Sequence, residues 1–235
     1  MANPSGQWMR GIVPLKRAAV ALILAPIAVL VLYTAGEGLR EAIANDDFPE
    51  TLAVKVELMP VIFPLHMITG ALALILLPAV IALRPRPRWH RPLGRVAALD
   101  VLIAGVTAYP VAWIAPVTTV SAAGFSAQAT VWLALLAAGL WNIRRRRMAA
   151  HQTCMLLMTA TTMGAVVFRV FLALWAMQGA SRWFETFYAL DAWIAWTLPL
   201  GITALVLARR QARSKRRAIR STGVPSASGT PRVTA

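Results

Sequence analysis

Six stretches of this chain are apolar for the length of a membrane crossing, and most charged residues fall between them. The stretches are Ala18–Gly36, Pro60–Leu83, Val96–Val117, Ala127–Ile143, Gln152–Met177 and Ala189–Ala208. About 20 residues at 1.5 Å rise each cover a hydrocarbon core of ~30 Å, so each predicts one transmembrane helix. Nothing alternates with a period of two, so the expected fold class is all-α, a polytopic bundle of six spans. The first stretch reads as a retained signal anchor rather than a cleaved signal peptide, whose apolar region is shorter.

The connecting segments differ sharply in kind. Residues 1–17 are polar and basic. Glu37–Met59 holds most of the acids and predicts a short amphipathic helix, while Thr118–Ser126 is uncharged and reads as a loop. Arg84–Arg95 reads as a flexible basic turn, and Arg144–Arg147 is a run of four arginines. The tail 209–235 is basic, then rich in Ser, Gly, Pro and Thr, and is expected to be disordered.

Charge sets the orientation. The net charge of +15 sits oddly with 58% hydrophobic residues and a mean hydropathy of +0.62 until its location is considered. Of 24 Lys and Arg, 20 lie in residues 1–17, 84–95, 144–147 and 209–235, which contain no acid. With both termini inside, those segments place 3, 5, 4 and 8 basic residues on the cytoplasmic side, as the positive-inside rule requires. Trp89 and Trp141 then fall at the inner boundary, and Trp113, Trp132, Trp175 and Trp193 near the outer one. The basic loops are expected to hold anionic lipid. A nucleic-acid binder would not divide its charge between membrane-length apolar blocks, so no nucleic-acid partner is expected. A second copy or another membrane protein remains open as a partner. The preference for arginine, 21 against 3 lysines, together with abundant alanine suggests a bacterial source, hence the inner membrane.

Polar groups within a bilayer are costly, so they are the candidates for function. His66 lies about two turns inside the second span. His151 and Arg169 are 18 residues apart on the fifth, five helical turns, and should share a face with Met155, Met158, Thr162 and Ala165. Asp191, entering the sixth span, is expected to pair with Arg169. Asp100 reads as a first-turn carboxylate of the third span, complementing the helix dipole. His90 and Arg91 lie in the basic turn. The histidines His66, His90 and His151 are the haem-ligand candidates; His66 and His151 are a membrane thickness apart, whereas His90 and His151 share a depth. The single cysteine, Cys154, excludes an internal disulfide, and no set of ligands completes a zinc site. A shift of 61 residues superposes Thr69 on Thr130, Arg84 and Arg86 on Arg145 and Arg147, and His90 on His151. That predicts a repeated unit of helix, arginine run, histidine and returning helix.

The segment LHMITGALALILLP, then HRPLGR, then HQTCMLLMTATTMGAVVFR, resembles the domain of unknown function 2306, a family of predicted bacterial membrane proteins, over Leu65 to about Leu174. The matching positions are His66, His90, Arg91, Gly94, Arg95, His151 and Arg169. Gln152, Thr153 and Cys154 depart from the family pattern after His151, as does Ala97 after the Gly-Arg of the turn. The resemblance implies fold and location and supplies no reaction. Two functional readings follow. One is a non-catalytic membrane protein of assembly, sensing or transport, in which every buried polar group pairs structurally; the other is a haem-binding or redox protein using the intramembrane histidines. Enzymatic activity is not assigned by either.

Overall fold

The computed structural model describes residues 25–43, 50–178 and 181–222. The described chain is helical, without strands: α1 over 25–43, α2 (Glu50–Leu58), α3 (Ile62–Ala82), α4 (Pro87–Trp113), α5 (Thr119–Arg144), α6 (Met148–Thr162), α7 (Gly164–Met177) and α8 (Phe184–Thr222). A single 3-10 turn, Ser181–Trp183, precedes α8. Among the described residues five spans are long and apolar enough to cross a membrane: α3, α4, α5, α6 with α7, and α8 as far as Arg216. The expected first span is described only from residue 25, and residues 1–17 and 223–235 lie outside the described residues.

Helix ends depart from the expected bounds for local reasons. The basic turn is mostly helix, because α4 begins at Pro87, nine residues before Val96. A proline at the first helical position has its φ preset and needs no partner for its missing N–H. Likewise α5 starts at Thr119, within the expected loop. Thr118 Oγ1 accepts from Ser121 N–H at 3.0 Å, and Ser121 Oγ accepts from Thr118 N–H at 3.2 Å. That reciprocal capping box satisfies donors which would otherwise be orphaned at the helix start. The fifth span is interrupted at Met163 rather than continuous. Thr159, Thr161 and Thr162 each donate a hydroxyl to the carbonyl four residues back, a pattern that bends helices. Gln128 Nε2 on α5 caps the Thr161 carbonyl at 3.1 Å. The last helix runs past Ala208 to Thr222, well into the segment expected to be disordered.

Consecutive helices pack as antiparallel hairpins, α3 on α4, α4 on α5, α5 on α6 and α7 on α8, while α6 also meets α3. This puts the arginine-bearing turns α3–α4 and α5–α6 and the arginines of α8 at one end of the bundle, termed the basic end. The core has two parts. Ala73, Leu77, Ala97, Val101, Ala104, Trp132, Leu136 and Met158 fill the space between α3, α4, α5 and α6. Val31 and Ala35 of α1 pack with Ala71 and Leu74 of α3 and Val166 of α7. Small residues let these backbones approach closely, as membrane helices need when lipid competes for apolar contact. Large apolar side chains such as Leu99, Leu102, Val106, Leu198 and Ile202 face outward, the surface of a protein solvated by lipid. Trp132 is 9% exposed within the core, not at the interface, because α5 begins earlier than expected and carries it to mid-span.

Lys55 of α2 lies across the far end of α4. Its Nζ donates to Val111 O at 2.8 Å and Ile114 O at 2.6 Å, satisfying carbonyls at the helix end and placing a cation on the negative pole of the dipole. Burial holds its ammonium below the usual lysine range. Lys55→Met should lower stability by about 1.5–3 kcal/mol, the scale of hydrogen bonds to a charged donor. Chemical denaturation in detergent checks this; an unchanged midpoint would show the contact to be energetically idle.

Candidate functional site

The three histidines share one arrangement. Each Nδ1 lies against a backbone carbonyl of a neighbouring helix: His66 on Ala104 O at 3.1 Å, His90 on Val80 O at 2.9 Å and His151 on Gly139 O at 3.0 Å. A carbonyl only accepts, so Nδ1 carries the proton, and in the neutral ring Nε2 is the acceptor. His90 and His151 are also equivalent in the chain. The N-caps Arg86 and Arg147 and the helix starts Pro87 and Met148 are both 61 residues apart, and each histidine is the fourth residue of its helix. Each ties that helix back to its hairpin partner, α3 or α5. His90 is therefore a helical residue rather than part of a flexible turn, and both histidines have a structural tie. Among the described residues no group of three or more His, Cys, Asp or Glu could hold a metal ion.

Arg91 is exposed at the basic end. Asp100, 7% exposed, is not a first-turn carboxylate. Since α4 starts at Pro87, Asp100 lies about 20 Å along the helix, beyond the reach of the dipole, which fades within a turn. Its Oδ2 is buried with no hydrogen-bond partner among the described residues. The mid-span depth follows directly from the earlier helix start.

A polar group assembles at the opposite end of the bundle, where α1, α3, α7 and α8 meet. His66 lies within electrostatic reach of Arg169 and Lys55, and its Nδ1 is also 3.2 Å from Thr107 Oγ1. Arg169 of α7 does not form the expected pair with Asp191. Its carboxylate neighbour is Glu41 of α1, with Tyr188 also nearby, and its direct bond among the described residues is long, Nη1 to Ala165 O at 3.4 Å. Packing of α1 explains the choice. A Cβ at Gly38 would sit at ordinary contact distance, 3.6 Å from Ala71 Cβ and 3.8 Å from Arg169 Nη2, so α1 packs close to both here, with Glu41 one turn further along. Among the described residues the ion pair is Arg40 with Glu37, at 2.9 Å.

Asp191 is 2% exposed, and both carboxyl oxygens are buried without a hydrogen-bond partner among the described residues. Tyr188, one turn before it on α8, lies within electrostatic reach of both Asp191 and Arg169. Its ring is fixed edge-on against Phe125 and Phe168 at centroid distances of 6.0 and 5.3 Å. The structure thus brings His66, Arg169 and Asp191 to one end of the bundle and leaves His90, Arg91 and His151 at the other. Glu41, Lys55, Thr107 and Tyr188 were missed by sequence reasoning. Tyr188 was the accessible one, sharing a face with Asp191 at three-residue spacing.

Such a group offers an anchored cation, a proton-bearing or accepting ring and two carboxyls within an apolar surround, where polar interactions are strong. Comparison with curated proteins and with solved structures finds no match for the chain. A family model described as a predicted membrane protein, DUF2306, matches residues 63–207, from the start of α3 to the apolar end of α8. That match includes the polar group except for Glu41 and Lys55, and the chain belongs to the DUF2306 family of predicted membrane proteins.

Proposed function

We propose that this is a six-span protein of a bacterial inner membrane, with both termini cytoplasmic, that binds a small polar solute from the outer side for transport or sensing and performs no covalent chemistry. The carrying observation is Asp191, a buried carboxyl on a spanning helix with no hydrogen bond to either oxygen. Buried polar atoms are overwhelmingly satisfied in folded proteins, and a charged or polar group inside a membrane marks a ligand pathway by default. Arg169, engaged by one long bond, supplies the complementary cation. The ligand class is therefore a solute with an anionic group and a hydrogen-bond donor, such as an amino acid or a hydroxy acid. The orientation rests on the arginine turns lying together at one bundle end.

The test is a melting-temperature screen of the full chain in mild detergent against zwitterionic amino acids and small hydroxy acids. At least one solute should raise the midpoint, since a ligand at 100 times its Kd stabilises by about 2.7 kcal/mol. Arg169→Gln and Asp191→Asn should each abolish that shift. A panel without effect on the parent chain, or with equal effect on both variants, overturns the reading.

A further inference from the structure

We infer that the outer surface between α4 and α5 is a binding site for an anionic phospholipid, with one acyl chain in the groove and the phosphate held by Arg95 and Arg144. The inference is independent of the solute reading. An almost wholly apolar groove of about 450 Å³ runs between the two helices, lined by Leu99, Leu102, Leu133, Leu136, Ala137 and Leu140. Its far end is closed by contact, since a Cβ on Gly105 would lie 2.6 Å from Leu133 Cδ2. From there its lining runs along Ala98 and Leu99 of α4 and Ala137 and Leu140 of α5, on the side nearer the basic end.

Helical spacing supplies the charge. Residues three or four apart stack on one helix face. On α4 the stripe Leu102, Leu99 continues to Arg95 and then Arg91; on α5 the stripe Leu136, Leu140 continues to Arg144. All three arginines are exposed, and none makes an ion pair among the described residues. Trp141, one turn beyond Ala137, flanks the same end with the Arg145 guanidinium 4.5 Å from its ring centroid. An apolar slot at hydrocarbon depth that ends in unpaired arginines at headgroup depth matches an anionic lipid in length, polarity and charge. Guanidinium groups also suit phosphate geometrically, by paired parallel hydrogen bonds. Basic pockets between spanning helices are a recurring means of headgroup recognition.

The experiment reconstitutes the full chain in nanodiscs of phosphatidylcholine containing phosphatidylglycerol and counts retained lipids by native mass spectrometry. Phosphatidylglycerol should be retained over phosphatidylcholine. In the Arg95→Gln/Arg144→Gln variant that retention should fall about tenfold, while Arg209→Gln/Arg210→Gln, altered on α8 away from the groove, should keep it. Ala137→Trp, which fills the slot, should lose the lipid with its arginines intact; should it fail to fold, the surface arginine pair still decides. Equal loss in both arginine variants would mean diffuse surface attraction and overturn the site. A dimer abolished by Ala137→Trp, with no lipid retained by the parent chain, would assign the groove to a second copy and overturn it as well.

Discussion

Asp191→Leu is expected to stabilise the protein by about 1–3 kcal/mol while removing its solute binding. Whatever its protonation, the native carboxyl is 2% exposed and neither oxygen has a donor, and leaving such a group unsatisfied costs about that much. Leucine removes the penalty and adds apolar surface one turn from the buried Ala195 of α8. Asp191→Asn is the informative companion, because an amide retains the burden of unsatisfied polar atoms and should gain less. Thermal and denaturant unfolding in one detergent measures both. A stabilised, non-binding variant is the signature of a residue kept for function at the expense of stability. A destabilised Asp191→Leu would instead make the carboxyl structural and remove the basis of the solute reading.

The second large effect concerns the helix interruption. Gly164→Val should cost about 3 kcal/mol or more, at the upper end of overpacking penalties. A Cβ there would meet Trp196 Cβ at 2.6 Å, Trp196 Cα at 2.8 Å and Gln128 Nε2 at 3.0 Å. The Cα belongs to the α8 backbone and cannot swing aside as a side-chain tip could. Either α7 and α8 separate, or Gln128 leaves the Thr161 carbonyl it caps at 3.1 Å and orphans it inside the bundle. Both routes disturb the register between Arg169 and Asp191, so binding should weaken along with stability. Gly70→Ala serves as the control. A Cβ at Gly70 meets nothing within 4 Å, and replacing a helical glycine with alanine should add roughly 0.5–1 kcal/mol. Equal melting points for Gly164→Val and the parent chain would show that the α7–α8 contact yields freely.

The apolar spans were legible because lipid imposes a strong, length-limited pattern, and five of the expected six coincide with described helices suited to crossing a membrane. Their ends were less so. Pro87 and Thr118 look like loop residues by composition, yet proline at a first helical position and a reciprocal Thr118–Ser121 cap are starting signals. Reading them as loop displaced Asp100 by about two and a half turns and put Trp132 at the wrong depth. The equivalence of His90 and His151 was visible as a 61-residue echo because it is local to each hairpin. The partner of Arg169 was not visible. It depends on which helices adjoin across the bundle, and the packing of α1 beside Ala71 and Arg169 leaves no periodic signal along the chain.

The length of α8 has a mechanical consequence. From Phe184 to Ala208 the helix is about 37 Å of mainly apolar surface, longer than a hydrocarbon core of ~30 Å. Arg182 at one end and Arg209 and Arg210 at the other resist being drawn into hydrocarbon. The mismatch is therefore relieved by tilt or by local thickening of the bilayer. Because α8 is held by α5, α6 and α7, a change in bilayer thickness is expected to load those contacts rather than tilt α8 freely. Asp191, near one end of the rod, is where that load is expected to be felt.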